Sequence, residues 1–303
     1  MKFGINTLLW GATFGPADFH RLPAIKAAGF DGIEVAILDP LHFPAAAIRR
    51  ESEVAGLECT AVAIIPRGLG LGEPDATIRS RAQAHVSACI RQAAEAGANL
   101  LSGPMYSPVG YLTGSRRTQD EWDRAVESWQ ALAETAANVS VDIGIEPLNR
   151  FETYFLNTAS DGAAFCDAVG HPRVGLLFDT FHANIEEKSV GDALRTASRH
   201  LKHLHTCEND RGIPGSGHVA WTEFFSTVAE IGYDRWLTIE SFGFALGELS
   251  AAAAIWRDLA AAPDDIAFEG VKFLRRQCRV PHELPPRRKS KRVHRVIVGR
   301  EET

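Results

Sequence analysis

The chain of 303 residues has few cysteines and no long apolar run. Its five cysteines are scattered, show no C-x-x-C spacing and give an odd total, which favours reduced thiols over a disulfide framework. No apolar stretch approaches the roughly 20 residues that span a bilayer, and the first residues show no signal-peptide pattern. We therefore expect a cytoplasmic protein that has no membrane partner.

The chain also lacks an extreme composition, although its charge is unevenly distributed. It contains 32 basic and 38 acidic residues, with 45% hydrophobic and 9% aromatic content, as is usual for a globular protein. Residues 271–303 contain eleven lysines and arginines but three glutamates, whereas the remainder is acidic. We interpret residues 280–303 as a basic C-terminal tail. A solvated, flexible extension is favoured over a nucleic-acid-binding arm.

Apolar runs that are typical of strands alternate with helical patterns as far as about residue 279. The predicted strands are Phe3–Leu9, Gly32–Ile37, Leu57–Ile64, Asn99–Gly103, Val141–Glu146, Val174–Asp179, Leu201–His205 and Trp236–Glu240. The predicted helices are Phe19–Ala28, Pro44–Ala55, Ala76–Ala96, Gln119–Asn138, Ser160–Val169, Val190–Ser198, Trp221–Ile231 and Glu248–Leu259. Eight such units predict a single-domain α/β fold, the (β/α)8 TIM barrel, over residues 1–279.

Each of the last four predicted strands ends in a possible metal ligand. These residues are Glu146, Asp179, His205 and Glu240, and they are 26 to 35 residues apart, about one strand plus one crossover helix. In a parallel barrel the carboxyl ends of the strands meet on one face, which carries the active site. Three carboxylates and one imidazole suit a divalent cation such as Mn²⁺, Mg²⁺ or Co²⁺. Cys207 lies nearby, but we interpret it as part of the wall.

The loops that follow these strands contain further polar residues. Arg150 and Glu152 follow the fifth strand, His182 lies three residues beyond Asp179, and Arg211 lies in a long polar loop with three glycines. Loops at this face are where a barrel places its substrate contacts. We expect Arg211 to contact substrate, whereas Arg150 could either contact substrate or form a salt bridge that shapes its loop.

The motifs resemble those of the ketose 3-epimerases, typified by D-tagatose 3-epimerase and D-allulose 3-epimerase, within the xylose-isomerase-like barrels. The resemblance covers Met1 to about Arg279. Its most specific parts are Gly144–Glu152, Phe178–His182, His203–His205 with Arg211, and Ile239–Phe242. It implies an isomerase that interconverts the C3 epimers of ketoses by deprotonation and reprotonation at C3 through a cis-enediolate.

The resemblance also implies a role for each matching residue. The implied metal ligands, with Mn²⁺ preferred over Mg²⁺ and Co²⁺, are Glu146, Asp179, His205 and Glu240. The implied catalytic acid and base are Glu146 and Glu240. The implied substrate-binding residues are Glu152, His182 and Arg211. A homodimer or homotetramer is implied as well.

The expected substrate is a free ketose of the D-tagatose, D-fructose, D-allulose or L-ribulose type. A phosphorylated sugar would call for several cations beside glycine-framed amides, and Arg211 is the one cation near these glycines in the sequence. Apolar contacts to the distal carbons could come from Trp10, Met105, Tyr106, Tyr111 and Phe242. Nucleic acid is not expected as a partner, because the barrel is acidic.

Three other functions are compatible with parts of the pattern. An aldose–ketose isomerase of the hydroxypyruvate or inosose type would use the same metal and carboxylates. An endonuclease-IV-like repair enzyme would need further histidines on earlier strands, but the third and fourth runs lead into Pro66 and Pro104 without one. A non-catalytic sugar-binding barrel would be expected to lack Glu146 or Glu240, and both are present.

Overall fold

The structure, a computed structural model, describes residues 1–242 and 253–279. Eight parallel strands follow one another around a closed barrel, and the first strand pairs with the last. The strands are β1 Lys2–Asn6, β2 Gly32–Ala36, β3 Glu58–Val62, β4 Leu100–Gly103, β5 Asp142–Ile145, β6 Val174–Asp179, β7 Leu201–His205 and β8 Trp236–Ile239. The predicted TIM barrel is confirmed.

Helices alternate with the strands and surround the barrel. The α-helices are α1 Leu22–Ala28, α2 Ala45–Ala55, α3 Ala76–Glu95, α4 Gln119–Asn138, α5 Ala159–Val169, α6 Thr180–Glu186, α7 Val190–Ala197, α8 Trp221–Glu230 and α9 Pro263–Gln277. Short 3-10 helices cover Thr7–Leu9, Phe19–Arg21 and Ser198–His200. The side chain of Trp129 on α4 is fully buried and donates to the Met105 carbonyl at 3.0 Å, so this helix is anchored to the loop after β4.

Local sequence signals account for several of these boundaries. Thr118 begins α4 with a capping box, in which its hydroxyl accepts from the Glu121 amide at 3.2 Å and its own amide donates to the Glu121 carboxylate at 2.6 Å. Gly29 ends α1 at a φ of 99°, a left-handed conformation that favours glycine. Gly175 permits close approach of β6 to its neighbour, because a Cβ there would lie 2.1 Å from the His200 carbonyl oxygen.

Two local predictions differ from the structure near β1 and β6. The first strand was expected to reach Leu9, but it ends at Asn6, whose side chain accepts from the Leu8 amide at 3.0 Å and starts a 3-10 turn. Helix α6 was not predicted. It begins directly after β6 because the Asp179 carboxylate accepts from the Phe181 amide at 2.7 Å and caps its first turn.

The helix predicted after β8 differs from the structure over its described part, and a helix that was not predicted follows it. The helix expected at Glu248–Leu259 is wrong over residues 253–259, which form turns and irregular backbone. Its earlier part lies outside the described residues, as does the predicted tail at 280–303. The observed helix α9 starts at Pro263, which disfavours a helical conformation in the preceding residue, and Ala262 is accordingly extended at φ −145° and ψ 154°.

The strand register places the polar residues together at the carboxyl ends. Strands β6 and β7 pair Asp179 with His205. Strands β1 and β8 pair Ile5 with Ile239, so the residues that follow, Asn6 and Glu240, are adjacent. Within residues 1–242 and 253–279, no helix is both long and apolar enough to cross a membrane.

Candidate metal centre and substrate pocket

Four side chains converge at the carboxyl end of the barrel. They are the four residues predicted from the strand ends, Glu146, Asp179, His205 and Glu240. One potential ligand atom from each lies within 4.8 Å of the others. All four are buried, with exposed fractions from 0% to 7%. The convergence that the sequence predicted is therefore present.

Two buried atoms of this group have no hydrogen-bond partner, namely His205 Nδ1 and Glu146 Oε1. His205 Nδ1 faces the carboxylates, at 3.4 Å from Glu240 Oε2, 3.8 Å from Asp179 Oδ2 and 3.9 Å from Glu146 Oε1. An unpaired buried polar atom costs about 1–3 kcal/mol, so two of them facing one point require compensation. A cation ligated by both atoms supplies it, and the donor set therefore fits a divalent metal ion.

Burial and charge shift the pKa values of two of the three carboxylates that face His205, Glu146 and Asp179, in opposite directions. Burial raises the pKa of Glu146 well above its ordinary value, and repulsion from Glu240 adds to this effect. Burial also acts to raise the pKa of Asp179, but attraction to Arg211 and to the imidazoles of His182 and His205 outweighs it and holds this pKa well below its ordinary value. Two neighbouring acids thus differ in their tendency to hold a proton.

Arg211 reaches into the centre of the site from the loop after β7. Its Nη1 donates to Asp179 Oδ2 at 2.7 Å and to Glu240 Oε2 at 2.8 Å. The guanidinium carbon lies 4.1 Å from the centre of the Phe181 ring and 5.3 Å from that of Phe242. The backbone of Arg211 adopts a φ of 65°, which is uncommon for an arginine. Ion pairs and aromatic contacts therefore both hold this cation in place.

The other two predicted substrate-binding residues line the same side of the cavity. His182 Nε2 lies 3.2 Å from Arg211 Nη2 and 3.6 Å from Glu146 Oε1. Asn149 links the pair, because its side-chain amide lies 2.9 Å from His182 Nδ1 and donates to Glu152 Oε1 at 2.8 Å. Burial lowers the pKa of His182 to about 3, so its imidazole is neutral at neutral pH.

A cavity opens directly above these residues. Its inner part, of about 120 Å³, is lined by Glu146, Glu152, His182, Arg211 and Glu240 together with apolar side chains such as Leu8, Val62 and Phe242. A wider outer part of about 680 Å³ shares Glu152 and Arg211 with it. A lining that combines charged and apolar side chains suits a small polar molecule that has an aliphatic portion.

Of the aromatic and sulfur side chains suggested for the apolar wall, Phe242 lines the cavity. Met105 and Tyr106 are instead buried, and the Tyr106 hydroxyl donates to the Glu146 carbonyl at 2.9 Å. Trp10 donates to Asp264 at 2.6 Å, and Tyr111 is exposed beside Tyr154.

The contacts of Arg150 and Cys207 support structural roles for these two residues. Arg150 forms a two-pronged ion pair with Glu186, with both bonds at 2.9 Å, and 62% of its side chain is exposed. This pair holds the loop after β5 against α6, as the salt-bridge alternative predicted. Cys207 is buried, and Arg211 Nη1 donates to its sulfur at 2.9 Å. It packs beneath the Arg211 guanidinium, and burial raises the pKa of its thiol well above the ordinary value.

Sequence reasoning missed two buried acids. Glu34 on β2 is fully buried and contacts His203 and His205. Glu208 is also buried, and it accepts hydrogen bonds from Trp221 and from three backbone amides of the loop that carries Arg211. A glutamate within an apolar strand was the available signal for Glu34. For Glu208, the available signal was its position in the sequence, a few residues before the glycines of its own loop.

Comparisons with known proteins agree with this geometry. The family model described as "Xylose isomerase-like TIM barrel" matches residues 22–277. A probable ketose 3-epimerase of Synechocystis sp. is 39% identical over 280 residues, which cover 91% of this chain and 96% of the relative. A D-psicose 3-epimerase of Ruminiclostridium cellulolyticum is 34% identical over 271 residues, which cover 88% of this chain and 92% of the relative.

The crystal structure of D-allulose 3-epimerase from Methylomonas sp. in complex with D-allulose matches with a TM-score of 0.87. It is 28% identical in sequence, and the match covers 91% of this chain and 97% of that one. The resemblance inferred from the motifs is therefore confirmed, as is the expectation of an isomerase that acts on carbohydrates.

Proposed function

We propose a function from the premise that this chain belongs to the xylose isomerase-like TIM barrel family and, within it, to the ketose 3-epimerases. The chain is a metal-dependent ketose 3-epimerase that interconverts the C3 epimers of free ketoses. One observation carries the proposal: Glu146 and Glu240 are two buried carboxylates in a single ligand group beneath a cavity that Glu152, His182 and Arg211 also line.

Glu146, Asp179, His205 and Glu240 would hold the divalent cation. Three oxygen ligands favour Mn²⁺, with Mg²⁺ and Co²⁺ as alternatives. When bound, such a cation supplies the positive charge that makes the C3 proton of the ketose more acidic. The unpaired His205 Nδ1 and Glu146 Oε1 support this assignment, because both atoms face the same point.

Glu146 and Glu240 are proposed as the acid and base. One carboxylate accepts the C3 proton while the C3–H electron pair forms the C2–C3 double bond and negative charge moves to the C2 oxygen, which gives a cis-enediolate. The other carboxyl group then donates a proton to the opposite face of C3, and the charge returns to the carbonyl. Burial raises the pKa of Glu146, which favours retention of the proton that an acid must donate and so supports this role.

Arg211, His182 and Glu152 are proposed to bind the oxygens at C1 to C3. Arg211 offers a guanidinium in contact with the rings of Phe181 and Phe242, and His182 and Glu152 line the same cavity. The apolar side chains of the cavity would contact the distal carbons of the sugar. Named relatives act on D-psicose and L-ribulose, and the substrate class proposed here is the free ketoses of the D-tagatose, D-fructose, D-allulose and L-ribulose type.

Deuterium incorporation tests the choice of carbon. The protein is incubated in D₂O with Mn²⁺ and each of D-fructose, D-allulose, D-tagatose and L-ribulose, and the label is located by NMR. Label at C3 together with formation of the C3 epimer is the expected result. Label at C1 with an aldose product would instead assign the protein to the aldose–ketose isomerases.

Two substitutions test the carboxylate pair. Glu146→Gln and Glu240→Gln should each lower the rate at C3 by about 10²–10⁴, the range that a proton-transfer group contributes. Glu53→Gln is the matched control, because Glu53 is exposed on α2 and paired only with Arg49 among the contacts that the structure gives it. Turnover retained by both site variants would refute the acid and base assignment.

Four further features stay predictions from the sequence. They are the cytoplasmic location, the assembly as a homodimer or homotetramer, the barrel domain at 1–279 and the basic tail at 280–303. Light scattering coupled to size-exclusion chromatography measures the assembly, and limited proteolysis with mass spectrometry measures whether cleavage is confined to the tail.

A further inference from the structure

A network of hydrogen bonds lies inside the barrel, directly below the proposed metal ligands. Its centre is Glu34, whose side chain is fully buried. Oε1 lies 2.7 Å from His205 Nε2, and Oε2 lies 2.7 Å from His203 Nε2. Thr60 donates its hydroxyl to Oε2 at 3.2 Å, and Asn6 donates its amide to Oε1 at 3.1 Å. Each carboxylate oxygen of Glu34 therefore has two partners.

The distances identify these contacts as hydrogen bonds. Glu34, His203 and His205 also satisfy the spacing of a metal-ligand group. However, each oxygen of Glu34 faces a different imidazole nitrogen at 2.7 Å, which is the length of a charge-assisted hydrogen bond. An ionised carboxylate can only accept, so both Nε2 atoms must carry a proton. A metal ion at this position would displace those protons and the bonds from Asn6 and Thr60.

The protonated Nε2 determines what the other side of His205 can do. With its proton on Nε2, a neutral His205 presents a lone pair at Nδ1, the atom that faces Glu146, Asp179 and Glu240. The bond to Glu34 also restricts rotation of the ring. Glu34 is on β2 and His205 on β7, so the ring is oriented from across the barrel.

Asn6 connects the same carboxylate to a second ligand. Its side-chain nitrogen donates to Glu34 Oε1 at 3.1 Å and to Glu240 Oε1 at 3.3 Å. Its side-chain oxygen accepts from the Leu8 amide at 3.0 Å, which fixes which end of the amide points into the barrel. Glu240 is thereby held through Oε1, and its other oxygen, Oε2, lies 3.4 Å from His205 Nδ1.

We propose that Glu34 is a positioning residue that holds His205 in the tautomer and orientation of a metal ligand, and that Asn6 couples Glu34 to Glu240. The inference rests on the metal site of the proposed function and adds to it the groups that orient two of its ligands. Carboxylates that accept a hydrogen bond from the second nitrogen of a ligating histidine commonly change metal affinity by about 10- to 100-fold when they are replaced.

Metal binding without substrate tests the proposal. Mn²⁺ affinity is measured by calorimetry, with free Mn²⁺ followed by electron paramagnetic resonance, for the wild type, Glu34→Gln and Asn6→Ser. Glu34→Gln replaces one acceptor oxygen with an NH₂ group, which would face a histidine N–H. We expect its Mn²⁺ affinity to fall about 10- to 100-fold, with a smaller fall for Asn6→Ser. Glu58→Gln is the control, since Glu58 begins the adjacent strand but is exposed and paired with Lys2.

The outcomes separate this inference from the proposed function. No Mn²⁺ binding by the wild type would overturn the metal site itself. Binding by the wild type with equal affinity in folded Glu34→Gln would overturn only the positioning role, even if that variant were less stable. Should Glu34→Gln not fold, Thr60→Val and Asn6→Ser replace it, and the visible spectrum of bound Co²⁺ is the measurement. A changed ligand field in both supports the proposal, and unchanged spectra refute it.

Discussion

Glu208 organises the loop that carries Arg211, and its replacement by glutamine tests how that loop is held. Oε2 accepts from the Gly215 amide at 2.7 Å and from Trp221 Nε1 at 2.9 Å. Oε1 accepts from the amides of Asn209 and Val219, both at 3.1 Å. The side chain therefore ties both ends of the loop and the first residue of α8 to one buried carboxylate.

The expected loss of stability in Glu208→Gln follows from these four hydrogen bonds. Whichever way the amide is oriented, its NH₂ group occupies a position where two N–H groups formerly donated. Each unsatisfied buried donor costs about 1–3 kcal/mol, so the free energy of unfolding should fall by about 2–6 kcal/mol. Since a typical domain is stable by about 5–15 kcal/mol, this loss is measurable by urea denaturation.

The stability difference between the wild type and Glu208→Gln should depend on pH, and the pKa of Glu208 determines how. Burial acts to raise this pKa, but the hydrogen bonds from Trp221 and the backbone amides outweigh it and lower the pKa below its ordinary value. The stabilisation is therefore fully present above the unfolded pKa of about 4.3 and is lost as the pH falls through the lower folded pKa. The stability difference between wild type and Glu208→Gln should be constant from about pH 8 to pH 5 and shrink below this range.

The control for this measurement is Glu53→Gln, which breaks an exposed ion pair with Arg49 and should cost less than about 0.5 kcal/mol. A displaced loop should also weaken substrate binding through Arg211, so KM should rise. If Glu208→Gln cost no more than Glu53→Gln at neutral pH, the carboxylate would not be holding the loop. A stability difference that grew towards acid pH would contradict the sign argued above.

Three other perturbations have defined expectations. Mn²⁺ at about 100 times its Kd should raise the free energy of unfolding by about 2.7 kcal/mol, measured as an increased Tm, and chelation should reverse it; an unchanged Tm would argue against metal binding by the native state. Gly175→Ala should lower the Tm by an amount equivalent to about 1–3 kcal/mol, because its Cβ would meet the His200 carbonyl oxygen; wild-type stability would contradict that contact. Thr118→Ala should cost about 1 kcal/mol in urea denaturation through loss of the α4 cap, whereas Thr118→Ser should cost much less.

The sequence was sufficient to predict the barrel and the four candidate ligands. Each predicted strand overlaps an observed one, because the spacing of apolar residues and the glycines that end helices are local properties of the sequence. Asp179 and His205 could be placed on one face without coordinates, because parallel strands that follow one another must end on the same side. The position of Arg211 at the same face of the barrel could be anticipated from its polar, glycine-containing loop.

Contacts between residues distant in sequence could not be predicted. Glu34 and His205 are 171 positions apart, and nothing in the local pattern Gly-Ile-Glu-Val-Ala indicates which imidazole Glu34 contacts. The predicted helix at Glu248–Leu259 is wrong over residues 253–259, because high helix propensity in an alanine-rich segment does not ensure a helix there. Helix α9, Pro263–Gln277, was not predicted, although its buried apolar face and the proline at its first position favour it.

The sequence by itself determined that Glu146, Asp179, His205 and Glu240 would stand at the carboxyl ends of consecutive parallel strands, since strand order and direction follow from the alternating pattern. Only the tertiary structure decided how they are oriented. Closing the barrel brings β1 beside β8, so that Asn6 contacts Glu240, and lets Glu34 on β2 reach His205 on β7 through the barrel interior. The physical reason is that orientation depends on hydrogen bonds across the barrel, and those bonds exist only once the sheet has closed.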